Sequence, residues 1–242
     1  MGRKIFHSLW LLLLTLMGFD ELAVARGQEF YAAKRQHMVA QQLKARDITD
    51  PRVLAAMGTV PRHRLVPGYL TSLAYSDQPL PIGSGQTISQ PYIVALMTQW
   101  AEVKPGEKVL EVGTGSGYQA AVLAELTDRV FSIELKPELA ESAKTRLRDL
   151  GYERIQLRCG DGYQGWPEEA PFDAILVTAT APEVPQALKE QLKEGGRLVI
   201  PVGPPGFVQQ LLRLRKVKGE LKEEERLPVR FVPLVKPREE KN

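Results

Sequence analysis

Val109-Leu110-Glu111-Val112-Gly113-Thr114-Gly115-Ser116-Gly117-Tyr118 carries an apolar run into a glycine-rich turn. Val130-Phe131-Ser132-Ile133-Glu134, a second apolar run, ends on a carboxylate about twenty residues beyond the first glycine. A strand, a glycine turn, a helix and a second strand ending in an acid make a nucleoside-binding α/β unit. The glycines let backbone approach a ligand and adopt positive φ without a Cβ clash. Glu134 is placed to accept hydrogen bonds from ribose hydroxyls. Tyr118 stands where a dinucleotide fold has its third glycine, which favours a nucleoside without a pyrophosphate over NAD.

Outward from this unit, strand and helix patterns alternate. Strands are expected at Lys108–Val112, Arg129–Glu134, Ile155–Cys159, Ala174–Val177 and Arg197–Pro201, and helices from Tyr118, from Pro137 to about Leu150, and over Pro185–Leu192. Short apolar strands separated by helices predict a doubly wound, mostly parallel sheet. Val208–Val217 and Leu227–Val235 read as antiparallel strands that finish its edge. Upstream, Glu29 to about Ala45 forms a helical extension, and Asp50 caps a short second helix that Pro51 opens. From Val60 to Gln90, four prolines and repeated glycines leave little room for regular structure and predict a long ordered or lid-like loop, a place where function concentrates. Ser89 is then the N-cap of a helix running to about Trp100.

At 242 residues, with a formal net charge of +3, the chain suits one α/β domain and gives no sign of a nucleic-acid partner. The basic run Arg213, Arg215, Lys216 and Lys218 alternates with Leu214 and Val217, as in a strand with one wet face. A single cysteine, Cys159, excludes an internal disulfide framework and reads as a buried structural thiol. His37 and His63 are far apart, and no metal-ligand spacing is present. Arg3 and Lys4 ahead of Leu9–Met17, with Ala23-Val24-Ala25 as a cleavage site, form a secretory signal pattern, its apolar run too short for a comfortable membrane span. The competing reading is an N-terminal helix packed on the domain. Residues 1–25 are therefore set apart from a domain of 26–242. That domain divides into N-terminal helices and substrate loop (26–105), ligand-binding core (106–203) and C-terminal strands (204–242).

In an open parallel sheet the ligand lies beyond the carboxyl ends of the strands. Those ends carry Gly113–Gly117, Glu134, Gly160-Asp161-Gly162 and Thr178–Pro182. Alone, Gly-Asp-Gly is a turn; beside a ribose-binding Glu134, Asp161 is placed to read an exocyclic amine. Glu111 either braces the glycine loop or accepts from a ligand's ammonium group. These acids together suit a cationic nucleoside.

The chain resembles a class I S-adenosylmethionine-dependent methyltransferase, and specifically the protein-L-isoaspartate (D-aspartate) O-methyltransferases. The likeness runs from about Met38 to about Val235. It is carried by Val60-Pro61-Arg62-His63-Arg64-Leu65-Val66-Pro67, Gly85-Gln86-Thr87-Ile88-Ser89-Gln90-Pro91, the glycine turn, Gly160-Asp161-Gly162, Phe172–Ala179 and Leu192–Gly203. The glycine motif indicates only a methyltransferase; Thr87-Ile88-Ser89-Gln90-Pro91 is far more specific. The resemblance implies S-adenosyl-L-methionine as cofactor, held by Glu111, Gly113, Thr114, Gly115, Ser116, Glu134, Asp161 and Gly162. It implies methyl transfer to the α-carboxylate of isoaspartyl residues in age-damaged proteins, with Ser89 in the active site and Thr87 and Ile88 shaping the substrate channel. It also implies a cytoplasmic monomer without stable membrane association, whereas the signal-like segment argues for export.

Overall fold

The computed structural model describes Gly27 and residues 29–237, so the signal-like segment lies outside the described residues. Helix α1 (29–38) widens into a π-helical turn at Val39–Lys44. Helix α2 (Pro51–Thr59) starts as its sequence dictates: Asp50 Oδ1 accepts from Arg52 N at 2.8 Å, and Pro51 fills the first turn, where no donor is missed.

The stretch from Val60 to Gln90 has more regular structure than the ordered or lid-like loop expected. It holds two short 3-10 helices (Arg62–Arg64 and Gly68–Leu73), then a hairpin of β1 (Leu80–Gly83) and β2 (Gln86–Ile88), antiparallel in register Leu80↔Ile88. Val60, Leu65, Ala74, Tyr75, Leu80 and Ile88 are all buried. Prolines and glycines punctuate this segment, and most of its large apolar residues face the core between the turns, Tyr69 and Leu73 being exposed.

Helix α3 (Pro91–Ala101) follows. Gln90, not Ser89, occupies the N-cap, and no side chain caps the helix there. Then come β3 (Lys108–Val112), α4 (Tyr118–Ala124), β4 (Arg129–Glu134), α5 (Pro137–Asp149), β5 (Gln156–Cys159), β6 (Phe172–Val177), α6 (Gln186–Gln191), β7 (Leu192–Val202), β8 (Gln209–Val217) and β9 (Glu220–Val229). Gly151 stops α5 at φ +82: its N–H bonds Arg148 O while Tyr152 N bonds Leu147 O, the paired closure of a left-handed cap. Strand β7 begins five residues before the expected Arg197, and β9 ends at Val229, so residues 230–235 do not extend the sheet as expected.

The strands order as β5-β4-β3-β6-β7-β8-β9, parallel from β5 through β7 and antiparallel beyond. Both faces of β3, β4 and β6 are buried, which is why those strands are apolar almost throughout, whereas β5 at the edge is partly exposed. Val109, Val130, Ala174 and Leu176 pack on one face with α3, α4 and α5. Leu110, Phe131, Ile175 and Leu198 pack on the other with Leu188 of α6. Each of these Val, Leu, Ile and Phe side chains contributes about 1.5–3 kcal/mol of burial. The basic run lies on β8 as expected, but ion pairs hold it: Arg213 and Arg215 bond Glu224 and Glu102, and Lys216 donates to Lys189 O and Leu192 O at the end of α6. From β3 the chain winds outward through β4 and β5, then returns across β3 to β6. That reversal opens a crevice at the carboxyl ends of β3 and β6.

Candidate active site

At that crevice the glycine turn is clamped from both sides. Gly113 N and Thr114 N both donate to Ile133 O of β4, at 2.8 and 3.1 Å, while Thr178 Oγ1 from the end of β6 donates to Gly113 O at 2.6 Å. Gly113 has φ +101, and a Cβ there would collide with Thr178 Oγ1. Glu134 closes the loop: Oε2 accepts from Gly115 N at 2.8 Å and Oε1 from Lys136 N at 3.0 Å. Gly113, Gly115, Glu134, Gly162, Thr178 and Leu234 border the cleft at the carboxyl ends of β3, β4 and β6.

Deeper in, a smaller chamber is lined by Ser89, Glu111, Thr114, Ser116 and Gln119. Alternation along β3 points Glu111 to the α4 face, opposite Ser132 in the β3–β4 register. Ser132 Oγ donates to Glu111 Oε2 at 2.5 Å and contacts Thr114 Oγ1 at the same distance. The acid therefore braces the glycine loop through two hydroxyls. Its other oxygen, Oε1, is buried without a partner among the described residues, as is Gln119 Oε1 on the same chamber. Ser116 Oγ accepts from Tyr118 N at 3.2 Å at the start of α4.

Burial pushes the Glu111 carboxyl up to about 8 from 4.5, and the nearby Glu134 charge adds to the rise against the opposing Ser132 hydrogen bond. The ligand-free fold thus keeps a proton that the unfolded chain sheds near 4.5. This group's contribution to stability is full below that pH and is lost as pH rises through about 8. The urea midpoint should accordingly fall between about pH 5 and about pH 8, and Glu111→Gln should flatten the fall. An unchanged slope in that variant would exclude Glu111 as its source.

Three expectations need correction or refinement here. Ser89 does not cap α3; its carbonyl accepts from Arg62 Nη2 at 2.8 Å, and its hydroxyl has no partner among the described residues. The offset arises because Pro91 is the first helical residue, which leaves Ser89 one position too early to reach the helix amides. Cys159 is exposed rather than buried, at the edge-strand end of β5, with its thiol 3.5 Å from Leu135 O. Asp161 behaves partly as a turn residue: Oδ1 accepts from Tyr163 N at 2.9 Å, leaving Oδ2 uncommitted among the described residues. Gly162 lines the cleft, and a Cβ there would press on Val112.

Thr87, Ile88 and Ser89 form the partition of the site. Thr87 borders the glycine-turn cleft, the inner chamber and a third, open cleft. Ser89 borders the inner chamber and that open cleft, whose far wall is Val208, Arg230 and Phe231. Ile88 is buried behind them. Sequence reasoning missed Thr178 as a clamp, Arg62 as a strut and residues 232–234 as a wall. The last segment is held by Thr180 N bonding Val232 O and Leu234 N bonding Thr180 O, both at 2.8 Å, and no local pattern announces such a pairing.

The chain is similar to known proteins. The family profile of protein-L-isoaspartate (D-aspartate) O-methyltransferase matches residues 33–239. A protein-L-isoaspartate O-methyltransferase of Opitutus terrae is 58% identical over 226 residues, covering 93% of this chain and 96% of that protein. One from a Picosynechococcus species is 59% identical over 202 residues, or 84% and 90% of the two chains. The solved structure of a beta-aspartate methyltransferase from Plasmodium falciparum, in complex with S-adenosyl-L-homocysteine, superimposes with a TM-score of 0.73 at 29% identity, covering 84% of this chain and 99% of that one. The glycine clamp and the Ser89 partition thus sit within a match that spans most of the chain, and the chain belongs to the protein-L-isoaspartate (D-aspartate) O-methyltransferases.

Proposed function

We infer that the chain transfers a methyl group from S-adenosyl-L-methionine to the α-carboxylate of L-isoaspartyl residues, and of D-aspartyl residues, in damaged proteins. The observation that carries the reading is the partition at Thr87-Ile88-Ser89, with the glycine-turn cleft on one side and an open cleft on the other. A donor and a polypeptide acceptor need such separate entries to one reacting point.

The residues present fit S-adenosylmethionine. Glu134 retains lone pairs for the ribose diol beyond those that Gly115 and Lys136 occupy. The free Oδ2 of Asp161 is left to accept from an exocyclic amine, and Gly162 gives the base close approach. Gly113, Thr114, Gly115 and Ser116 form the floor under the amino-acid end, and the unpartnered Glu111 Oε1 suits its ammonium group. When bound, the cofactor supplies an electrophilic methyl group on a sulfonium.

The acceptor carboxylate is already ionised at neutral pH, so no strong general base is required. The protein's work is to align that carboxylate and strip it of water. Ser89 Oγ, with no competing partner among the described residues, is free to donate to one carboxylate oxygen and aim the other at the methyl group. Thr87 and Ile88 fix the width of the passage. The methyl ester, once formed, closes to a succinimide that reopens partly to normal aspartate, which is the repair. We further propose a cytoplasmic protein, because the donor is made in the cytoplasm, with export through the signal-like segment 1–25 as the alternative.

The test uses tritiated S-adenosylmethionine with an isoaspartyl peptide and its aspartyl twin. Base-labile label should enter the first on the order of a hundredfold faster; equal labelling of both would refute the repair reading. In the same assay Ser89→Ala should lower turnover at saturating cofactor by on the order of tenfold to a hundredfold, while affinity for S-adenosylhomocysteine stays within about a factor of two. Equal turnover of the two proteins would remove Ser89 from the chemistry.

A further inference from the structure

Arg62 is among the largest fully buried side chains of the described residues, and its position is unusual for a cation. Its Nε donates to Ala74 O at 2.7 Å and its Nη2 to Ser89 O at 2.8 Å. The guanidinium carbon lies 4.7 Å from the centroid of the Tyr118 ring, the residue that opens the helix after the glycine turn. Nη1 is buried with no partner among the described residues. The carboxylate nearest in effect, Asp77, is held by Arg46 at 3.1 Å. Burial lowers the guanidinium's pKa to about 10, which still leaves it charged at neutral pH. A buried charge with no counter-ion is costly unless something compensates it.

We propose that Arg62 is the positioning residue of the acceptor side: it fixes the Ser89 backbone against the glycine-turn helix and lends the positive potential that draws the isoaspartyl carboxylate to the Ser89 hydroxyl. This rests on the reading of Ser89 as the residue that receives that carboxylate. The substrate itself then supplies the anion that the buried cation lacks, and only while it is bound. A neutral side chain at position 62 could fill the space but would not favour a charged ligand. A lysine would keep the charge, yet one ammonium cannot span the two carbonyls that the planar fork reaches. Charge and geometry are therefore separable by substitution.

The experiment measures peptide binding to the protein loaded with S-adenosylhomocysteine. It compares an isoaspartyl peptide with the same peptide bearing an α-carboxamide, in the parent, Arg62→Met, Arg62→Lys and Ser89→Ala proteins. The parent should prefer the carboxylate by about tenfold or more, and Arg62→Met should bring that preference to within about threefold. Arg62→Lys should keep the preference but lose about tenfold in kcat, with S-adenosylhomocysteine affinity unchanged in both variants. An undiminished carboxylate preference in folded Arg62→Met overturns the electrostatic part, and parent-like kcat in Arg62→Lys overturns the positioning part. Should Arg62→Met fail to fold, Arg62→Lys decides: retained preference with reduced kcat supports the proposal, and any other pair of results overturns it. If Ser89→Ala alters neither turnover nor preference, the Ser89 reading itself has failed. If Ser89→Ala is impaired while both Arg62 variants behave as the parent, the Arg62 proposal alone has failed.

Discussion

Alanine in place of Gly113 is expected to lower the thermal midpoint by about 10 °C and to weaken binding of S-adenosylhomocysteine by more than about thirtyfold. Two costs add. At φ +101 an L side chain is strained by about 1–3 kcal/mol. The new methyl group also meets Thr178 Oγ1 directly, an overpacking cost of about 1–3 kcal/mol more. For a domain of this size each kcal/mol moves the midpoint by about 2–4 °C. Neither neighbour can yield cheaply. Gly113 N is fixed to Ile133 O, and Thr178 is tied by its backbone to Val112 O and by its hydroxyl to Gly113 O. The displacement therefore goes into the loop, which is the floor of the proposed cofactor site. Two controls separate the costs. Gly151→Ala, at φ +82 with nothing near its added Cβ, should show the strain alone. Gly113→Ala with Thr178→Ala should recover the steric part, about half of the loss. Differential scanning calorimetry and titration with S-adenosylhomocysteine read both effects, and a Gly113→Ala protein no weaker than Gly151→Ala would show that the clamp tolerates a side chain.

What the sequence disclosed and what it hid divide along a physical line. The ends of β3 and β4 were legible to the residue because a glycine turn and a terminal acid mark them locally, and apolar runs can face only a buried sheet. The cap at Asp50 and the stop at Gly151 were legible for the same reason: each acts within one helical turn. A serine two residues before Pro91 fits the capping pattern when only neighbours are considered, yet Gln90 takes the cap position. The true setting of Ser89 depends on Arg62, 27 residues away, just as the glycine clamp depends on Thr178, 65 residues from Gly113. Long-range side-chain bonds of this kind leave no spacing to read. The segment from Val60 to Gln90 misled in another way. Its prolines and glycines mark turns correctly, but turns between buried apolar residues make a packed hairpin and not a lid. Cys159 was misjudged because β5 is an edge strand, which a local apolar pattern does not reveal.

Glu134→Ala should weaken S-adenosylhomocysteine binding by on the order of a few hundredfold while leaving kcat at saturating donor within a few fold. Hydrogen bonds to a carboxylate contribute about 1.5–3 kcal/mol each, and two ribose hydroxyls would share this one. The group is 6% exposed, so water replaces little of what is lost. Glutamine is not a conservative control here. Each carboxylate oxygen accepts a backbone N–H, one from Gly115 and one from Lys136. In either orientation the amide of Glu134→Gln would turn an NH2 group toward one of those donors. Glu134→Gln should therefore lose the loop closure as well as a ribose acceptor, and fall nearer to the alanine variant than charge removal alone would predict. Analogues of S-adenosylhomocysteine lacking a ribose hydroxyl complete the cycle. In the parent protein, removing a hydroxyl should cost at least tenfold in affinity; in Glu134→Ala the same removal should cost almost nothing, because its partner has already gone. Equal losses in the two proteins would mean that the ribose bonds elsewhere and that Glu134 serves only to close the glycine loop.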